Sequence, residues 1–263
     1  MRAIGLAAAI WAIGTAAFAQ ATLTLPEQQK DWTLDLGAGG FYGPDYDGSD
    51  DYEGRALPYI GFNWRDRVYF NPIQGLGYNV IRNNDLRLGV VVRPKFGRDA
   101  DDNPALNGLD DIDTAIELGL SAERRLGGGW TLGGRVTQDV SSVHGGASGL
   151  IGLSRTQKTP LGTLVAGGEL RAVSDGHNQT YFGITPREAA ASGRSPYAPG
   201  GGLNSVGLNA VLFTRLGGQG GLAVFAGYDR LLGDAADSPL VRVDGSPDQF
   251  RLGVFYAWRF SGG

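Results

Sequence analysis

The sequence predicts an all-β chain folded as a transmembrane antiparallel β-barrel, and three observations predict it. Apolar residues alternate with charged or small ones over segments of about ten residues, the length a tilted strand needs to cross a bilayer. Aromatic residues gather at the ends of those segments, where an interfacial girdle sits. The links between segments alternate between short and long, as short periplasmic turns and long extracellular loops do.

The first element is a leader. Met1-Arg2 supplies positive charge, Ala3 to Ala12 is almost unbroken apolar sequence, and Ala17-Phe18-Ala19 places small residues two apart before Gln20. Residues 1–19 therefore read as a secretory signal peptide, too short for a membrane helix. Residues 20–30 read as a short periplasmic segment, and 31–260 as the barrel. No later apolar run is long enough for a helical span. The chain has no cysteine, so after export its stability has to come from packing and a closed hydrogen-bond network.

The strands follow in order. From Trp32, residues Leu34, Leu36, Ala38, Gly40 and Tyr42 share one face, with Thr33, Asp35, Gly37 and Gly39 on the other. Leu86, Leu88, Val90, Val92 and Phe96 face away from Arg87, Gly89, Arg93 and Lys95. Ile112, Thr114, Ile116, Leu118 and Leu120 oppose Asp113, Glu117, Gly119, Ser121 and Glu123. Trp130, Leu132, Gly134, Val136 and Val140 oppose Thr131, Arg135, Thr137 and Asp139. Last come Phe250, Leu252, Val254, Tyr256, Trp258 and Phe260 against Arg251, Gly253, Ala257 and Arg259, with Phe255 the one large exception. Strands of soluble sandwiches average about five or six residues, which these exceed.

Short links fall at Arg65-Asp66, Arg82 to Asn84, Gly127 to Gly129, Thr156 to Pro160 and Gly217 to Gly220. Long ones span Gly43 to Glu53, Arg98 to Asp111, Ser174 to Gly200 and Leu232 to Asp248, with a medium one at Ser141 to Gly146. Parity holds throughout if the stretch from Arg67 to Ile81 turns at Asn71-Pro72. That gives 12 strands with both termini periplasmic; 10 is the alternative if Pro72 only kinks a single strand. Glycine accounts for 44 of 263 residues, against roughly 7% in average proteins, without the period of collagen. It lies largely between outward apolar positions, as at Gly37, Gly89, Gly119, Gly133 and Gly253, where tilted strands crowd.

The words at strand ends and in loops, "GFYGPDYDGSDDYEGRALPYIGFNWRDRVYF", "GLGYNV", "NGLDDIDTAIELG", "YFGIT" with "YAPGGGL", "LLGDAADSPLV" and "GVFYAWRF", together resemble the MipA/OmpV family, or MltA-interacting-protein-like proteins. The resemblance runs from Trp32 to Phe260. It implies an outer-membrane β-barrel of Gram-negative bacteria with a structural or scaffolding role in the envelope. The implied partners are a murein transglycosylase and a peptidoglycan synthase, beside outer-membrane lipid and lipopolysaccharide. A porin-like channel or a surface-exposed antigen or adhesin is the alternative. The family brings no catalytic residues, and Ser261-Gly262-Gly263 extend past the terminal aromatic at which such barrels usually stop.

The candidate lumen-facing charges are Asp35, Arg87, Arg93, Lys95, Glu117, Glu123, Arg135, Asp139, Arg251 and Arg259. Read as structure they are an ion-paired plug; read as function they line a narrow polar channel. A 12-stranded lumen lies between side-chain-filled and open barrels, and strand number favours the filled reading. The candidate acidic loop is Asp45, Asp47, Asp50, Asp51 and Glu53, with Asp99, Asp101, Asp102, Asp110 and Asp111 in a second segment. Ala56 stands where an EF-hand needs glutamate, so the bland reading is a solvated acidic rim, and the functional one is divalent-ion bridging to lipopolysaccharide phosphates.

An enzyme is not expected. No "GxSxG" or phosphate-binding glycine loop occurs, and His144 and His177 sit in loops and read as surface residues, with Ser142 or Ser148 as conceivable neighbours of His144. No cofactor or metal is expected. The 23 basic residues are scattered against 27 acidic ones, so nucleic acid is no partner.

Overall fold

The computed structural model describes residues 30–263; the signal-peptide reading lies outside the described residues. Twelve antiparallel strands close into a barrel, each pairing with its sequence neighbours and β1 with β12. In order they are β1 (Trp32–Pro44), β2 (Tyr52–Trp64), β3 (Val68–Asn71), β4 (Gly75–Arg82), β5 (Leu86–Lys95) and β6 (Ala115–Gly127). The second half is β7 (Trp130–Asp139), β8 (Ala147–Thr159), β9 (Gly162–Val173), β10 (Gly202–Arg215), β11 (Gly220–Leu231) and β12 (Asp248–Gly262). Among the described residues no helix is long and apolar enough to cross a membrane.

Closure runs from Trp32 opposite Gly262 to Tyr42 opposite Leu252, so the last strand continues past Phe260 and pairs with Thr33 through Ser261. The outward face is greasy through its middle, with Leu36, Ile60, Val92, Leu120, Val136, Ile151, Leu208 and Val254 all exposed. Trp32, Trp64, Trp130 and Trp258 ring the periplasmic end. At the other end Tyr42 stacks on Tyr52 (5.5 Å between centroids) and Tyr228 packs tilted against Phe250 (4.9 Å). Rings with an apolar body and a polar edge suit the two interfaces of a membrane.

The Asn71-Pro72 turn is real. Asn71 Oδ1 accepts from the backbone N–H groups of Ile73 and Gln74 (3.0 and 2.8 Å), which closes a tight hairpin between β3 and β4. The hairpin is short, and β2 meets β3 only through Phe62–Trp64. Pro58 and Pro94 stand on β2 and β5, the strands flanking it; proline cannot donate to a ladder and belongs at such edges. In the periplasmic turn after β2, Arg65 and Asp66 take positive φ (50° and 56°), the twist-matched hairpin geometry. Gly127, Gly128 and Gly129 do the same after β6.

The sixth strand begins later than the alternation implies. Ile112 forms only an isolated bridge with Arg98 and packs into the loop layer. The long loops fold over the extracellular mouth as a roof. It contains α1 (Asp175–Phe182), α2 (Pro186–Ser192), α3 (Gly233–Asp237) and α4 (Pro239–Arg242). Two apolar clusters hold it: Tyr46, Leu106, Leu109, Ile184, Ala189 and Leu240; and Tyr181, Phe182, Leu231, Ala235 and Val241.

Candidate functional site: the lumen and its two mouths

The lumen has an apolar side that the alternation misses. Phe41, Leu57, Tyr59, Val165, Val211, Phe213, Ala223 and Phe255 point inward from β1, β2 and β9 to β12 and form one buried cluster. Phe255 is therefore not an isolated exception. Strands here are apolar on both faces, as in Ala210, Val211, Leu212 and Phe213, so period-two contrast vanishes. The unbroken run was the available signal. At the periplasmic foot of this cluster Arg259 grips Asp35 through two hydrogen bonds (2.6 and 2.7 Å).

The opposite side, built from β3 to β9, is polar. At its foot Arg87 bridges Asp66 (2.6 Å) and Glu123 (3.4 Å). Higher up Glu117 accepts from Thr137 Oγ1 (3.0 Å), and Arg93 and Arg135 stand close by, 5% and 7% exposed. Nearest the roof Lys95 pairs with Asp47 (2.8 Å), and from β12, above the apolar cluster, Arg251 lies between Asp229 of β11 and Asp47, so the polar layer crosses to both sides there. Asp139 is placed differently from the rest. Its carboxylate accepts from Ser141 N and Oγ, His144 N and Gly145 N (2.7 to 2.8 Å) and so organises the loop after β7 rather than lining free space.

The histidines are not surface residues. His144 and His177 are 5% and 4% exposed and meet edge to face (5.2 Å), with Tyr181 against both. Gly146 N donates to His144 Nδ1 (3.0 Å), which leaves Nε2 as the protonated nitrogen, 3.6 Å from Glu117 Oε1. Lys95 sits over the Tyr181 ring (4.4 Å). Burial, and then the positive Lys95, hold the His177 imidazole well below its ordinary range. Ser148, the conceivable neighbour of His144, instead bonds Thr137 (2.8 Å).

The acidic loop does not converge on a point. Asp45 and Asp51 both accept from Asn103 Nδ2 (2.9 and 3.1 Å), Glu53 holds Arg55 (2.7 Å), and Asp50 is exposed. Burial disfavours ionisation of Asp47, but Lys95 and Arg251 outweigh it and keep the carboxyl low. In the second segment Asp99 accepts from Asp101 N (3.0 Å), Asp111 from Ala100 N (2.8 Å), and Asp110 pairs with Arg187; Asp102 is exposed. Among the described residues no three acidic or histidine side chains gather as metal ligands.

The two mouths carry opposite charge. Around the periplasmic rim lie Lys30, Arg65, Arg67, Arg82, Arg124, Arg125, Arg155, Lys158 and Arg215, all exposed, against Asp31, Asp66 and Asp85. Arg65 lies over Trp64 and Arg155 over Trp130 (both 5.6 Å), so these cations sit at the girdle. The acidic segments lie at the extracellular end. The scattered look of the basic residues in sequence conceals a collar, because each turn contributes only one or two.

Closed topology, an apolar outer belt and two aromatic girdles define an outer-membrane β-barrel. The profile of the family described as "MltA-interacting protein MipA" matches residues 36–260, and the chain belongs to that family. It is similar to "Outer membrane protein OmpV" of Vibrio cholerae serotype O1 (strain ATCC 39315 / El Tor Inaba N16961), at 26% identity over 236 residues, 88% of each chain. It is likewise similar to "Outer membrane protein Omp26La" of Vibrio anguillarum, at 26% over 237 residues and 88% of each. Among solved structures it resembles the outer membrane channel COG4313 from Pseudomonas putida F1 (TM-score 0.44, 11% identity, 90% of this chain and 98% of that one). The NanC porin is similar at TM-score 0.42 and 11% identity, covering 86% of this chain and 98% of that one.

Proposed function

We propose that this protein is a closed envelope barrel that works through its periplasmic rim, holding there an acidic face of a murein transglycosylase or of its peptidoglycan-synthase partner. The observation that carries this reading is the contrast between a lumen filled by the Phe41 and Phe213 cluster and roofed by loops, and a rim whose basic side chains are exposed. The family's printed name, an MltA-interacting protein, fits such a partner. The rim turns are short, so little area is available for packing, and charge has to do most of the recognition. A collar of guanidinium groups recognises carboxylates at that cost in area.

The test is capture of a purified murein transglycosylase by the detergent-solubilised barrel. Reversal of Arg65, Arg67 and Arg82 to glutamate is expected to weaken capture, and added salt is expected to do the same for the unaltered protein. Capture indifferent to both sinks the reading. The polar side of the lumen favours a second reading, a channel that conducts when the roof opens. Sustained single-channel current from the unaltered protein in a planar bilayer would support it against the closed barrel.

A further inference from the structure

We infer that the polar side of the lumen holds a small oxyanion, a carboxylate or phosphate, between Arg93 and Arg135, reached from the periplasmic mouth. This site stands apart from the rim and does not depend on what docks there.

The lumen arginines fall into two groups. Arg87, Arg251 and Arg259 each grip a carboxylate of the chain. Arg93 and Arg135 are buried (5% and 7% exposed), the Arg93 Nε has no hydrogen-bond partner, and neither guanidinium stands in an ion pair at contact distance among the described residues. A guanidinium carries five N–H donors in a rigid fork, and burying them without acceptors is costly. Register sets the two four positions apart along β6, and their long side chains carry the charges within reach of each other. Arg93 lies opposite Glu117 on β6, and Arg135 lies opposite Ser121 on β6 and Leu150 on β8. Arg171 lies across Leu150 on its far side, and the charges acting on Arg135 include both Arg93 and Arg171. Glu117 and Glu169 are the carboxylates whose charge acts on Arg93, and neither pairs with it at contact distance. A two-oxygen anion fits a guanidinium fork in geometry and in charge.

An entrance exists. A polar cavity on this side is lined by Asn63, Asp66, Tyr69, Gln74, Ser121 and Glu123, among others. Asp66 is on a periplasmic turn, Ser121 is the register partner of Arg135, and Tyr69 lies within the electrostatic reach of Arg135. On the roof side His144, His177 and Tyr181 pack together, and a second polar cavity opens beside Asp47, Lys95 and Arg251. The ligand comes and goes through the periplasmic cavity, which reaches Ser121 opposite Arg135.

Thermal unfolding of the refolded full barrel, at constant ionic strength with sodium chloride as the reference, tests this with inorganic phosphate and with glucuronate. The expected result is a saturable rise in Tm with one or both anions. A response to phosphate alone identifies a phosphate site, and a response to glucuronate alone identifies a carboxylate site. Arg135→Gln is expected to weaken the apparent affinity roughly tenfold or more, whereas Arg242→Gln, on the exposed roof, leaves the response intact. No rise beyond chloride, or an equal rise in Arg135→Gln, overturns the site. If Arg135→Gln does not refold, Arg93→Gln is read in the same way, and calorimetric titration of the unaltered protein must show one anion per chain; no saturable heat overturns it as well.

Discussion

The two sides of the lumen fill the same space by different means. On β1, β2 and β9 to β12 the interior is a cluster of Phe41, Tyr59, Phe213, Phe255 and their aliphatic neighbours, which needs no partner chemistry and excludes water by packing alone. On β3 to β9 it is a column of arginines and carboxylates whose stability rests on charge pairing and whose members respond to protons and ions. The difference teaches that one wall of this barrel is fixed and the other adjustable. Any traffic or regulation belongs to the adjustable side, beneath the His144, His177 and Tyr181 group.

The largest expected effect breaks the fixed side. Phe213→Ala removes a fully packed ring next to a cavity lined by Asp35, Tyr59 and Phe255. The cost is about 3–5 kcal/mol, measured as the shift in urea unfolding of the refolded barrel. Because that cavity touches the Asp35 and Arg259 pair at the mouth, the variant is also expected to admit water and show current absent from the parent. A loss below about 1 kcal/mol would mean that the apolar wall does not hold the barrel, and the contrast between the sides would fall.

How much of this was legible depends on contrast. The outward face reads clearly because Leu118 and Leu120 alternate with Glu117 and Gly119, and the charged inward face reads with it. The Phe41 and Phe213 wall does not read, because Val211 and Leu212 look alike to a period-two count although one is inside and the other faces lipid. The turn at Asn71-Pro72 is visible from turn chemistry alone. The histidine group is invisible for another reason. His144 and His177 are 33 positions apart in separate loops, and only the fold of the roof brings them together. The collar is hidden in the same way, by dispersal over successive turns. Local pattern reports faces of strands; it does not report which loops meet.

A smaller effect tests the adjustable side by acid. Buried His177 faces His144 and Tyr181 from the roof, Lys95 and Arg171 from the barrel, and Glu117 beneath. Its folded pKa lies below the ordinary 6.5, so the unfolded chain takes up a proton that the folded chain refuses. Stability is therefore full above about 6.5 and declines as pH falls below it. Asp47 acts lower down: its folded pKa lies below 3.8, and its contribution is present above that value and lost as pH falls further. His177→Phe is expected to abolish the upper phase of an unfolding-against-pH curve and leave the lower one. An unchanged upper phase would move the acid response to another group, and the comparison would lose its titratable element.

The smallest effect asks whether roof and barrel are one cooperative unit. Thr185 caps α2: its Oγ1 accepts from Glu188 N (3.2 Å), while Glu188 Oε2 accepts from Thr185 N (2.8 Å) and Oγ1 (2.7 Å). Glu188 Oε1 also accepts from Asp110 N (3.1 Å), so this one cap ties the loop after β9 to the loop after β5. Thr185→Ala costs about 1 kcal/mol. Hydrogen exchange is the measurement. Faster exchange is expected in α2 and around Asp110, with the amides of β9 and β10 unchanged, since the ladders between those strands do not pass through the cap. If the strands also exchange faster, the roof is part of the barrel's own stability and cannot open alone. The polar side of the lumen would then be as fixed as the apolar one.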